Sequence, residues 1–138
     1  MDPKKIILLL LVFLIAPVGR TAAARTFQDS RGKAVAVPDA PQRIVSLAPS
    51  ITEILYFLGL GPRVAGVTTY STFPEEARKK PKVGSYINLN IEEIIRLAPD
   101  LVIATPDGNS RGVVETLEGA GIPVFTVNPR NVLEALDT

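Results

Sequence analysis

The chain has 138 residues, of which 15 are basic and 14 acidic; 46% are apolar, and there is no cysteine, histidine or tryptophan. Disulfides are therefore excluded, as are the thiolate and imidazole ligands of ordinary zinc or copper sites and the usual base for a serine nucleophile. A net charge of +1 gives no electrostatic reason to expect nucleic acid or an anionic membrane as partner.

Lys4 and Lys5 precede an unbroken apolar run from Ile6 to Ala16, and Ala22 and Ala24 supply an A-x-A pattern. Residues 1–24 thus read as a cleavable secretory signal ending before Arg25. The run falls short of the roughly 20 apolar residues that a spanning helix needs. With no cysteine to carry a lipid, a periplasmic product without a lipid anchor is expected. Without the leader the net charge is near −1. Residues 25–138 are enough for one hydrophobic core and one domain.

Thr26–Gln28 and Ala34–Val37 flank Asp29-Ser30-Arg31-Gly32, the pattern of a short hairpin with glycine in its turn. Ile44, Val45 and Leu47 form an apolar strand run that Pro49 stops. Ser50 stands three residues before Glu53, the spacing of a capping box, and Ile51, Ile54, Leu55 and Leu58 give a helical stripe. Gly59, Gly61 and Pro62 end that helix, and Val64–Val67 reads as the next strand. Thr68-Thr69-Tyr70-Ser71 then falls where parallel sheets bind ligands.

An irregular tract, 71–82, carries the only basic run, read as a solvated loop. Asn90 to Glu93 is another capping pattern, followed by a stripe of Ile91, Ile94, Ile95 and Leu97. Leu101–Ala104 reads as a buried parallel strand and Thr105–Asn109 as the loop at its carboxyl end. Ser110 is placed to cap a helix with Val113, Val114 and Leu117 inward. Ile122–Val127 is the last strand, and Asn131 opens a helix carrying Val132, Leu133 and Leu136. The alternation predicts an α/β fold, an open parallel sheet with flanking helices preceded by a β-hairpin. No G-x-G-x-x-G and no phosphate-cradling loop is present.

Four segments, VSLAPSITEIL, GVTTYSTFPEEA, KVGSYINLNIEEII and LAPDLVIA, occur in this order between Val45 and Ala104. Together they resemble the first lobe of the helical-backbone periplasmic binding proteins of ABC importers, with the likeness greatest to cobalamin binders. The resemblance implies a two-lobed protein that holds a small ligand between lobes joined by one long helix, then docks both lobe tips on permease subunits. Residues 25–138 would be the N-terminal lobe, truncated where the inter-lobe helix starts, with weak or no affinity alone. No catalysis, cofactor, metal or nucleic acid is implied, and a monomer is expected. Siderophore or haem are the alternative ligands within the class. Outside it stand a small periplasmic enzyme, which the missing histidine disfavours, and an interaction domain without a small ligand.

On the same resemblance Tyr70 is a ligand-stacking aromatic, the alternative being a cover for the sheet edge. Tyr86 takes the place of a second cleft aromatic, or is a half-buried loop anchor. Thr105 stands where cobalamin binders carry another aromatic, so that stacking surface is lost. Ser50 lies beside the cleft, first as a helix cap and secondarily as a ligand contact. Glu92 corresponds to an acidic residue that meets a permease arginine, a role compatible with stabilising its helix dipole.

Overall fold

The computed structural model describes residues 23–128. The expected leader up to Ala22 and the helix expected from Asn131 lie outside them. Strands β1 (Ala24–Gln28) and β2 (Ala34–Pro38) form the expected antiparallel hairpin, in register from Ala24↔Pro38 to Gln28↔Ala34. Its turn uses Gly32 at φ +74°, a left-handed conformation that costs glycine little.

Four short parallel strands follow: β3 (Ile44–Ser46), β4 (Val64–Gly66), β5 (Leu101–Ala104) and β6 (Val124–Thr126). They lie in the order β4-β3-β5-β6, with Val45 opposite Val102 and Val102 opposite Val124. Helix α1 (Pro49–Phe57) connects β3 to β4. Helix α2 (Glu75–Arg78) is a single turn in the tract expected to be irregular. Helix α3 (Ile91–Arg96) precedes β5, and α4 (Arg111–Gly119) joins β5 to β6.

Two core layers cover the sheet's faces. Ile94 and Leu97 of α3 and Val114 and Leu117 of α4 pack with Val45, Val102 and Val124. Ile51 and Leu55 of α1 pack with Ile44, Val64 and Val67. Gly66 lets the first layer close on β4, because a Cβ there would lie 2.5 Å from Leu97 Cδ1 and 3.1 Å from Val83 Cγ1.

Two helices start on the capping side chains that the sequence predicts. Asn90 accepts from the Glu93 N–H at 3.0 Å, and Ser110 accepts from the Val113 N–H at 3.4 Å. Gly59 ends α1 in a Schellman turn, in which Leu60 N–H donates to Leu55 O (2.8 Å) and Gly59 N–H to Tyr56 O (3.0 Å). The α1 start differs from expectation. Ala48 is the N-cap, Pro49 occupies the first turn, and there is no side-chain cap bond, so the Ser50–Glu53 capping box does not form. Proline has no N–H to satisfy and its φ is already helical, so the helix starts there and leaves Ser50 two positions inside the N-cap.

The α1 stripe is also narrower than the spacing implied. Ile54 and Leu58 are 56% and 63% exposed, and the inward position between Ile51 and Leu55 is taken by Thr52. In α3, likewise, Ile95 is exposed. Strands β4 and β6 are shorter than the apolar runs that predicted them. In a four-stranded sheet the hydrogen-bonded ladder, not hydrophobicity, sets where a strand ends.

Candidate functional site at the carboxyl edge of the sheet

The chain leaves β3 towards β4 on one side and leaves β5 towards β6 on the other. The carboxyl ends of β3 and β5 therefore form a topological switch point, the crevice where open α/β sheets take ligands. Leu47–Ser50 and Thr105–Asn109 are its two lips. Two polar clamps hold the surrounding loops.

The first clamp consists of hydroxyls. Thr52 Oγ1 lies 2.8 Å from Ser46 Oγ and 3.0 Å from Ser71 Oγ, and Ser71 Oγ lies 2.8 Å from Thr68 Oγ1. Ser46 donates to the Ala48 carbonyl at 3.0 Å. All four side chains are buried. A hydroxyl donates once and accepts up to twice, so the four form one relay ending on that carbonyl. The relay fixes the Thr68–Ser71 turn, closed by Ser71 N–H on Thr68 O at 3.1 Å, against the start of α1. Tyr70 stands on this turn with 66% of its surface exposed. Below it, the Lys82 ammonium donates to the carbonyls of Ser71 and Ala77 at 3.3 and 3.1 Å, and burial lowers its pKa.

The second clamp is the side-chain amide of Asn109, which is 5% exposed. Its Oδ1 accepts from the Thr105 N–H (2.8 Å), and its Nδ2 donates to the carbonyls of Leu47 (3.0 Å) and Tyr86 (2.9 Å). One residue thus bridges both lips of the crevice and the loop before α3. The Tyr86 ring lies directly on Gly108, where a Cβ would come within 2.0 Å of Tyr86 Cε1. Burial, then the nearby Asp107 carboxylate, raises the Tyr86 pKa, so the phenol stays neutral at physiological pH.

The expected site residues therefore sit on neighbouring loops of one edge. Ser50 is exposed in the first turn of α1, Tyr70 is on the loop after β4, Tyr86 on the segment before α3 and Thr105 directly after β5. Thr69 N–H donates to Gly84 O at 2.8 Å and joins the Tyr70 and Tyr86 loops. Sequence reasoning missed Thr52 and Asn109. Thr52 was concealed inside an apolar stripe. Asn109 carried one usable signal, a polar amide after a glycine at the carboxyl end of a buried strand.

Glu92 is exposed at the first turn of α3 and enters no ion pair among the described residues, whereas Glu93 binds Arg96 through contacts of 2.8 and 2.6 Å. Hydrogen bonding to Arg96 lowers the Glu93 pKa.

On the opposite flank the hairpin turn braces β6. Asp29 accepts from the N–H groups of Arg31 and Lys33, from Arg31 Nε and from Thr126 Oγ1, all within 3.0 Å. Arg31 and Lys33 also bind Glu118 of α4. Among the described residues no group of three acidic side chains is arranged to hold a metal ion.

Fold and edge together define an α/β lobe that offers aromatic and neutral polar groups at its switch point. The periplasmic binding protein family model matches residues 44–138, and the chain belongs to that family. It is 47% identical over 105 residues, 75% of its length, to an uncharacterized ABC transporter substrate-binding lipoprotein, YvrC of Bacillus subtilis. Its structure is similar to the periplasmic vitamin B12 binding protein BtuF of Vibrio cholerae, with a TM-score of 0.66 and 37% identity over 70% of this chain and 38% of that one. A periplasmic heme binding protein from Pseudomonas aeruginosa gives 0.67 and 37% identity over 71% and 35%. The chain spans about a third of the length of the curated relatives it matches (33% of YvrC).

Proposed function

We propose that this chain is the N-terminal lobe of a periplasmic solute-binding protein that delivers a macrocyclic ligand to an ABC importer, without catalysing any reaction. The observation that carries the reading is Tyr70, an aromatic ring 66% exposed on a turn immobilised by buried hydroxyls at the switch-point edge. Exposing a ring on so rigid a base suits stacking against a flat partner. Tyr86, Ser50 and the Thr105 loop extend the same surface. A corrinoid fits this neutral, aromatic wall best, because its broad face carries amide arms and needs no counter-charge. Haem or a siderophore is the second choice, favoured by the likeness to a heme binding protein.

A second lobe, outside these 138 residues, would supply the other wall, and residues 1–24 would direct export. One relative is named a lipoprotein, whereas this chain contains no cysteine that could carry a lipid. Glu92, exposed and unpaired among the described residues, is the proposed contact for a permease cation.

The test is a chemical-shift titration of the 15N-labelled chain with cyanocobalamin and, separately, haemin, which reads even weak binding. Perturbations gathered at residues 50–51, 69–71, 86 and 105 are expected, stronger with cyanocobalamin and lost in Tyr70→Ala. Shifts scattered away from this edge, or a Tyr70→Ala chain that responds as the parent does, would overturn the reading.

A further inference from the structure

We propose that Asn109 is a positioning residue for the ligand wall: it touches no ligand, yet its amide fixes the Tyr86 ring and the Thr105 loop in one arrangement and so sets affinity. The inference rests on the ligand-cleft reading above. It follows from the number and origin of the groups that Asn109 joins. An asparagine amide offers one acceptor oxygen and two N–H donors, and here all three functions are used on backbone groups of three separate segments. Two carbonyls face Nδ2 and one N–H faces Oδ1, so the amide has a single satisfying orientation.

No other residue type does the same work. Aspartate could accept from Thr105 but would turn a buried carboxylate towards two carbonyls. Serine has one proton for two acceptors. Glutamine carries an additional methylene, which moves its amide off these three groups. Asn109 is 5% exposed, with its amide spent on backbone groups, so a ligand on the edge does not meet the amide. Gly108 completes the device, because only a residue without Cβ lets the ring rest on this loop. One residue thus joins the two lips and anchors the segment that carries the ring. Losing the amide would free the Tyr86 segment from both lips, and the ring would have to be ordered at the cost of binding energy.

The experiment has two arms. In a Tyr56→Phe/Tyr70→Phe background Tyr86 is the sole emitter, since the chain holds three tyrosines and no tryptophan. Asn109→Ala should then raise acrylamide quenching of Tyr86 towards that of free tyrosine. Gly108→Ala, which keeps the amide and displaces the ring, should do the same. In the unmodified background, either variant should weaken cyanocobalamin binding about tenfold, the scale of one or two lost hydrogen bonds. Gly108→Ala should not weaken it further when combined with Tyr86→Ala, because it acts through that ring, and Asn109→Ala combined with Tyr86→Ala should cost less than the sum of the two.

Unchanged quenching in both variants, or losses additive with Tyr86→Ala, would overturn the proposal. If the unmodified chain binds neither cyanocobalamin nor haemin, the quenching arm alone decides whether Asn109 holds the ring.

Discussion

Thr52 Oγ1 lies 3.0 Å from Ser71 Oγ, joining positions 19 residues apart, and this contact ties the start of α1 to the turn that presents Tyr70. Thr52 is fully buried, so its hydroxyl cannot exchange the bond for water. Thr52→Val keeps the shape and strands its partners' lone pairs and protons. It should cost about 1–3 kcal/mol in thermal or urea unfolding. Adding Ser71→Ala should cost less than the sum of the singles, since contacting polar residues removed together leave fewer unpaired groups. Strict additivity would argue against the relay.

Tyr70 gives the opposite pattern. With 66% of its surface exposed, Tyr70→Ala should leave stability within about 0.5 kcal/mol of the parent, as surface substitutions generally do. Its effect should appear in the cyanocobalamin titration alone. A large drop in melting temperature would show that the ring covers the sheet edge instead of serving a ligand.

The two helix starts can be compared directly. Asn90→Ala removes a cap bond of 3.0 Å and should cost about 1 kcal/mol. Ser50→Ala removes no cap bond, because Ala48 is the N-cap of α1, and should be nearly neutral. Equal losses in chemical denaturation would restore the capping box at Ser50.

Acid should loosen the hairpin flank. Burial pushes the Asp29 and Glu118 pKa values up, but hydrogen bonds and the Arg31 and Lys33 charges outweigh it, and both are lowered in the fold. A carboxylate whose folded pKa is depressed stabilises the fold above its unfolded value. That contribution is lost as pH falls through the folded pKa. The reference values are 3.8 and 4.5, so stability should hold above about pH 5 and decline below it. Asp29→Asn should flatten this limb in a pH series of melting temperatures, and an unchanged limb would exclude Asp29 as a source.

Leu117 tests the core beneath α4. It is fully buried against Val102 and Val124, and Leu117→Ala should cost about 2–5 kcal/mol through lost burial and the cavity left behind. A loss below 1 kcal/mol in urea unfolding would mean that the layer collapses freely around the gap.

What could be read along the chain was whatever depends on near neighbours. The Asp29–Gly32 turn, the caps at Asn90 and Ser110, the glycine end of α1 and the buried strand at Leu101–Ala104 are determined within a few residues, and the sequence specifies them. The motif order specifies the family for the same reason: it is a string of such local signals. Tyr70 and Thr105 could be placed on one edge because strand ends in a parallel sheet share a side, whereas Tyr86 and Ser50 were placed beside them by the family resemblance.

Only the tertiary structure decided which apolar residues face inward. Ile54 repeats at helical spacing like Ile51, yet a small lobe offers α1 just a narrow contact. The roles of Thr52 and Asn109 were likewise beyond sequence reading. A buried polar side chain takes its meaning from its partners, and the carbonyl facing Asn109 belongs to Leu47, 62 residues away. The chain encodes a donor and an acceptor separately, and folding alone brings them into register.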